Sequence, residues 1–193
     1  MNAPHPFAIP AFRAYWVSRF MSVIATMAMV VIIGWQVYDI ARSDYGMSPK
    51  IAAFQLGLLG LAQFLPMFVL TPVAGWVADR YERRRVARIA NMVDIGVAVA
   101  LGILTLLEAL NLPILFMLAA MHGVARVFVG PALSAIAPNL VPAASLPRAI
   151  ALSSIAWQSA SVIGPAAGGF IMPKIRPPLI GLLLCCYLLQ IWR

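Results

Sequence analysis

Hydrophobic residues run along this chain in long stretches that short polar connectors separate. A helix needs roughly 20 mostly apolar residues, at 1.5 Å per residue, to cross about 30 Å of hydrocarbon. Six stretches approach this requirement, and the last is the shortest: 12–40, 51–77, 86–110, 113–138, 148–172 and 178–192. The pattern predicts an all-α membrane protein with six transmembrane helices.

Composition supports a bilayer environment. Hydrophobic residues make up 63% of the 193 and charged residues only 10%, whereas soluble domains carry about 25% charged residues. The net charge of +8 raises the question of a nucleic-acid partner. We expect none, because the cations lie at the ends of the apolar stretches and not along one stripe of a soluble fold.

The positive charges also predict the orientation, since cytoplasmic connectors are enriched in Lys and Arg. The N-terminal segment, the second and fourth connectors and the C-terminus hold eight cations, against four on the other side. The eight are Arg13, Arg80, Arg83, Arg84, Arg85, Arg88, Arg148 and Arg193, and the four are Arg42, Lys50, Lys174 and Arg176. We therefore expect a multi-pass membrane protein with both termini in the cytoplasm.

A short internal repeat suggests how the spans are arranged. Pro-Val-Ala-Gly at 72–75 ends the second stretch, and Pro-Ala-Ala-Gly at 165–168 lies late in the fifth. Inverted three-helix repeats pair the second and fifth spans in this way in many secondary transporters. Chance is an equal alternative, because Pro and Gly are common in membrane helices.

The most densely charged connector, 75–85, reads Gly-Trp-Val-Ala-Asp-Arg-Tyr-Glu-Arg-Arg-Arg. Five of its residues match a loop pattern of the major facilitator superfamily, which the connector resembles: Gly75, Asp79, Arg80, Arg83 and Arg84. Glu82 stands where that pattern usually has Gly. A Gly permits close helix contact, an Asp can face a helix N-terminus, and arginines bind carboxylates or anionic headgroups. The resemblance implies a cytoplasmic latch, and a simple topology anchor is the alternative.

Two further segments are similar to the same superfamily. Arg126 and Gly130 resemble an Arg-then-Gly motif of the fourth span, and Gly164, Pro165, Gly168 and Gly169 resemble a fifth-span motif of proton-coupled exporters. Ala160 stands where the second motif usually starts with Gly. The alternative use of these small residues is ordinary close packing.

Four segments carry a wider resemblance, over residues 10–171, to the enterobactin exporter-like bacterial branch of the superfamily: 12–16, 34–39, 57–61 and 146–152. This resemblance implies the N-terminal half of a major facilitator fold, built as two inverted three-helix repeats. It also implies secondary active transport, across the bacterial inner (plasma) membrane, of small molecules such as a siderophore or a drug. The domain organisation that follows is a cytoplasmic segment at 1–11, spans one to five at 12–172, and an atypical segment with a short sixth span at 173–193.

Ionisable groups inside spans cost about 2.5–3.5 kcal/mol each on insertion scales, so they are expected to face a cavity and to pair. Arg19, Asp94 and Arg126 are such groups. Arg19 and Asp94 have matching depths, which permits an ion pair, although Arg19 could equally snorkel to the interface. By the family resemblance, Arg126 would help to couple proton uptake to export. His122 lies one turn from Arg126, and a packing role is the simpler expectation for it.

Polar residues at helical spacing on the fifth span suggest a path for cargo. Gln158 and Ser161 belong to this stripe together with Ser154, and Gln63 on the second span could join them. Ser and Gln side chains also bond between helices, a use that needs no cargo.

No constellation of catalytic residues is found in the sequence. The serines lack a His and Asp partner set, and no phosphate-binding Gly-rich loop with Lys occurs. Cys185 and Cys186 have no partner at metal-ligand spacing. We expect no enzyme activity, no cofactor and no metal.

A complete superfamily member has twelve spans, so we expect a truncated or frameshifted exporter gene that encodes only the first half. The expected partners are the lipid bilayer, a small-molecule cargo, protons, and either a C-terminal half or another copy of the chain. The alternative function is a non-transporting membrane assembly protein, or an inactive gene fragment.

Overall fold

The computed structural model describes residues 5–134 and 140–171. Five α-helices occupy nearly all of these residues: α1 (Pro10–Ser43), α2 (Pro49–Arg80), α3 (Arg83–Leu106), α4 (Leu112–Ser134) and α5 (Leu146–Ile171). Short 3-10 turns at Pro6–Ala8 and Ala143–Ser145 precede α1 and α5. The predicted all-α class is confirmed, and the predicted sixth span at 178–192 lies outside the described residues.

Four of these helices are long and apolar enough to cross a membrane. Within the described ranges they are α1, α2 as far as Val77, α3 from Arg85, and α4 as far as Gly130. At 1.5 Å per residue, the 34 residues of α1 extend for about 50 Å, which exceeds the hydrocarbon thickness. The chain is therefore a multi-pass membrane protein.

Capping residues set the helix boundaries, which differ by a few positions from the predicted ones. Ser48 accepts a hydrogen bond from the backbone N–H of Ile51, so α2 begins at Pro49. Asn111 caps α4 in the same way, with its Oδ1 3.0 Å from the N of Ile114. The third predicted stretch extends to residue 110, but α3 ends at Leu106 because Glu108 turns the backbone with a φ of 52°.

The helices pack in a defined set of pairs. The most extensive contacts join α1 to α5, α2 to α4 and α3 to α4. A core of apolar side chains from α1, α3 and α4, with two residues of α2, fills the space between them. A second cluster, around Phe12 and Tyr15, packs the start of α1 against the segment that leads into α5.

Small residues form the surface of α5 that faces α1. They recur every three or four positions and are all buried: Ala149, Ser153, Ala156, Ala160, Gly164 and Gly168. A stripe of this kind lets two helix backbones approach closely. In contrast, only 6% of the most apolar part of α2 is buried, so its large apolar side chains face outward.

Candidate functional site

The charged connector lies between the end of α2 and the start of α3. The Arg80 guanidinium lies 4.8 Å from the centre of the Trp76 ring, a cation–π contact, and the Trp76 and Tyr81 rings meet edge to face. Glu82 and Arg85 form an ion pair at 2.9 Å. These contacts order a turn whose side chains are exposed on one end of the bundle.

The other members of the predicted connector motif are placed as follows. Asp79 is exposed in the last turn of α2, and Arg83 and Arg84 begin α3, with side chains outside the described set. Gly75 is exposed, and no described atom lies within 4 Å of the position that a Cβ would take there. The close helix contact predicted at Gly75 is therefore not made within the described chain.

A buried polar pair joins α3 to α4. The Nδ1 of His122 lies 2.9 Å from Oδ1 of Asp94, and the two residues are 0% and 2% exposed. Asn91, one turn before Asp94 on α3, is also buried. Both the Oδ1 of Asn91 and the Nε2 of His122 are without a hydrogen-bond partner among the described residues. The pair places two titratable groups inside an apolar core.

The sequence allowed an ion pair between Arg19 and Asp94. In the structure each of the two residues bonds to another residue. Arg19 donates from Nη1 to the Tyr15 hydroxyl at 2.9 Å, along its own helix. Asp94 instead meets His122, which the sequence favoured as a packing residue. Arg126 is half-buried, one turn beyond His122 on α4. The structure thus pairs Asp94 with His122 and not with Arg19.

A signal in the sequence could have found this pair. Consecutive membrane helices run in opposite directions, and His122 stands about as far from the end of α4 as Asp94 does from the start of α3. Equal depth places the two residues at one level of the membrane. It does not say which faces of α3 and α4 meet, and that information was missing from the sequence.

The fifth-span motif divides between two faces of α5. Gly164 and Gly168 are buried against α1, where a Cβ on Gly168 would lie 3.2 Å from the carbonyl oxygen of Ala28. Pro165 is half-buried and Gly169 is exposed. Ala160, in the place of the motif's usual first Gly, is fully buried, so a methyl group is accommodated there.

The predicted cargo residues lie on different helix pairs. Gln63 belongs to the α2–α4 contact, where its backbone meets Gly123. Gln158 is exposed on α5, and the hydroxyl of Ser161 donates to the Gln158 carbonyl oxygen at 2.7 Å. Ser154 similarly bonds within α5, to the carbonyl oxygen of Ile150. Ser154 and Ser161 thus satisfy their hydroxyls within α5, while Gln158 is exposed.

The sequence signature of a known family covers nearly the whole chain. The family is described as a transmembrane secretion effector of the major facilitator type, and its signature matches residues 2–193. The chain belongs to this family. Membership agrees with the predicted major facilitator resemblance and with a transporter rather than an enzyme. Among the described residues, no group of three His, Cys, Asp or Glu side chains could hold a metal ion.

Curated relatives of this family member are exporters. The enterobactin exporter of Shigella boydii is 31% identical over 164 residues, which cover 84% of this chain and 37% of that protein. Those of Salmonella choleraesuis and Citrobacter koseri are each 30% identical over the same length and with the same coverage. The chain thus spans little more than a third of the length of the relatives it matches.

Proposed function

We propose that this family member acts as the N-terminal half of a proton-coupled secondary active exporter of small molecules. Its similarity to enterobactin exporters over 164 residues carries the proposal. A siderophore is the first cargo class to consider, because the named relatives export enterobactin. A drug-like molecule is the second. The remaining spans would come from a C-terminal half or from another copy of the chain.

The helix pairing supports a six-helix unit made of two inverted repeats. If the first three spans correspond to the last three, the pair α1–α5 corresponds to the pair α4–α2. These are two of the most extensive contacts in the described chain. Pro72 in α2 and Pro165 in α5, the residues of the short sequence repeat, also occupy corresponding helices.

The orientation we propose places both termini and the charged connector in the cytoplasm. The connector residues Gly75, Asp79, Arg80, Arg83 and Arg84 would form the latch that the rocking motion releases. The stacking of Arg80 on Trp76 supports this role, because it holds a cation at the end of α2, where amphipathic rings sit at headgroup depth.

Proton coupling would rest on Asp94, Arg126 and Arg19. Their position within the apolar helices is energetically costly, and such residues mark ion or proton pathways in membrane proteins. Gln63, Gln158 and Ser161 would line the cargo path. The exposed amide of Gln158 supports this, because it remains available to bond a polar cargo group.

Transport by proteoliposomes tests the proposal. The full chain, alone or together with the C-terminal half of an enterobactin exporter, is reconstituted into vesicles loaded with enterobactin and given an inward proton gradient. We expect efflux that Arg126→Ala reduces to the level of protein-free vesicles. Arg148→Ala is the matched control, because Arg148 is exposed at the start of α5, and it should leave efflux intact.

A second function, membrane assembly without transport, is favoured by the exposed apolar surface of α2. It predicts no efflux from any of these vesicles, with either arginine variant or with the unaltered chain. Efflux that depends on Arg126 would exclude it, and its absence in both reconstitutions would overturn the exporter proposal.

A further inference from the structure

The buried pair of His122 and Asp94 has a defined hydrogen-bond pattern. With Asp94 ionised, its carboxylate only accepts, so the Nδ1 of His122, 2.9 Å away, carries the hydrogen of this bond. In the neutral imidazole the other nitrogen, Nε2, then has a lone pair and no hydrogen. This Nε2 is buried and meets no partner in the described part of the chain. The pair therefore presents one unused basic atom inside the bundle.

We propose that His122 and Asp94 form a proton-binding site whose charge state controls the contact between α3 and α4. This proposal deepens the proposed function, because it names the site that the coupled proton occupies. It rests on the proposed function in one respect, namely that proton binding drives export. The site includes His122, which the sequence alone did not assign to coupling.

The proton step involves a single atom. Hydronium transfers a proton to the Nε2 lone pair and leaves water, while the hydrogen on Nδ1 stays in its bond to Asp94. The result is an imidazolium beside a carboxylate, which has no net charge. Release to water reverses the step and returns one negative charge to the core. A buried charge is costly, so the charged and the neutral pair favour different surroundings.

Arg126 is the nearest charge along α4 that could respond. It lies four positions after His122, and residues at this spacing share one helix face. The deprotonated pair, at −1, attracts its guanidinium, whereas the protonated pair, at zero, does not. Proton binding would therefore weaken the attraction between the pair and Arg126.

Other charged residues on the packed helices are less well placed than Arg126 to respond to the charge of the His122–Asp94 pair. On α3 the next cation is Arg88, which is exposed, and the uncharged Asn91 lies between it and Asp94. On α1, Arg19 is bonded to Tyr15. The charged residues of α2 stand at its ends: Lys50, Asp79 and Arg80. Helix α1 also carries charged residues towards its two ends: Arg13, Asp39 and Arg42. Helix α5 carries Arg148 in its first turn.

Nitrogen-15 NMR of the histidine side chains tests this proposal directly. The full chain has only two histidines, His122 and the exposed His5, which serves as an internal reference. In detergent or nanodiscs at high pH, we expect His122 to show the tautomer with hydrogen on Nδ1. As the pH falls, both nitrogens should become protonated. Hydrogen on Nε2 at high pH in the unaltered chain would overturn the proposal without any variant.

The variant Asp94→Asn keeps a side-chain oxygen but removes the charge. An amide can either accept or donate a hydrogen bond, so His122 should no longer be held in the tautomer with hydrogen on Nδ1. The matched control Asp44→Asn removes an exposed carboxylate and should leave the His122 spectrum unchanged. Identical tautomers in the Asp94→Asn variant and the unaltered chain would refute the site. Vesicles without efflux but with the expected NMR shift would refute the exporter function and leave the proton site standing.

Discussion

Gly164 of α5 lies so close to Met27 of α1 that a Cβ on the glycine would stand 2.6 Å from the Cβ of the methionine. The carbonyl oxygen of Ile24 would be 2.9 Å away. Neither neighbour is the flexible end of a side chain, so any added atom must separate the two helices. The α1–α5 pair, one of the main contacts of the bundle, therefore depends on this glycine.

The first prediction concerns this contact. Gly164→Ala should destabilise the protein by about 1–3 kcal/mol, the usual cost of overpacking a tight interior. Gly169→Ala is the control, because no described atom would meet its Cβ within 4 Å. Thermal unfolding in detergent compares the two. Equal melting temperatures for the two variants would contradict the close approach of α1 and α5.

The contact between α2 and α4 gives a second prediction. A Cβ on Gly123 would lie 2.5 Å from the backbone oxygen of Gln63, so Gly123→Ala should also cost about 1–3 kcal/mol. Gly60→Ala changes the same helix as Gln63, at a site with open space around it. Unfolding by sodium dodecyl sulfate, followed by circular dichroism, measures both. A Gly123→Ala chain as resistant as the Gly60→Ala chain would refute the packing.

A third prediction tests the hydrogen bond between Trp16 and α5. The indole N–H donates to the Leu152 carbonyl oxygen at 2.8 Å. Trp16→Phe removes this bond and should lower the free energy of unfolding by about 0.5–1.5 kcal/mol. Trp157→Phe makes the same chemical change at an exposed site on α5 and should have little effect. Scanning calorimetry separates the variants, and a loss that is equal at both sites would argue against the bond.

The fourth prediction concerns Gln36 and Thr105, which link α1 to α3. The Gln36 amide donates to the Thr105 hydroxyl at 2.9 Å, and that hydroxyl donates to the Leu101 carbonyl oxygen. Thr105→Val would leave the amide unpaired, at a cost of about 1–3 kcal/mol. Adding Gln36→Leu should recover part of this loss, because no polar group then remains unpaired. A double-mutant cycle measures the coupling, and strictly additive effects would show that the two residues do not interact.

A fifth prediction concerns orientation. Tyr45 and Tyr81 are both exposed, in the α1–α2 and α2–α3 connectors. In a chain with Cys185→Ser and Cys186→Ser, we expect Tyr81→Cys to react with a membrane-impermeant maleimide only from the cytoplasmic side. Tyr45→Cys should react only from the outside. Labelling of whole cells against inverted vesicles decides this, and the reverse pattern would overturn the proposed orientation of both termini.

Much of the secondary structure could be predicted from the sequence. Each of the first five apolar stretches coincides with a helix, because a backbone in hydrocarbon must satisfy its own hydrogen bonds. The boundaries were less accurate. They depend on single groups, such as the Asn111 side chain at the start of α4 and the left-handed backbone of Glu108 after α3. Both act through local geometry that hydropathy does not report.

The candidate site could be predicted only in part. Asp94 and Arg126 were recognisable because charges within apolar helices are rare and costly. The partner of Asp94 was not recognisable. Two residues at the same depth in the membrane touch only if the helix faces that carry them meet, and the sequence does not show which faces meet. The small residues of α5 show the same limit: the sequence favoured the face with Ser154 and Gln158, whereas the buried face runs through Ala156 and Ala160.

The sequence by itself determined that this protein crosses a membrane several times, and it identified the charged connector and the ionisable residues inside the spans. These properties follow from the transfer of each segment between water and lipid, which depends on that segment's own composition. Only the tertiary structure decided that α1 pairs with α5 and α2 with α4, and that Asp94 meets His122. Such pairings depend on close fit between helix surfaces, and no single segment contains that information.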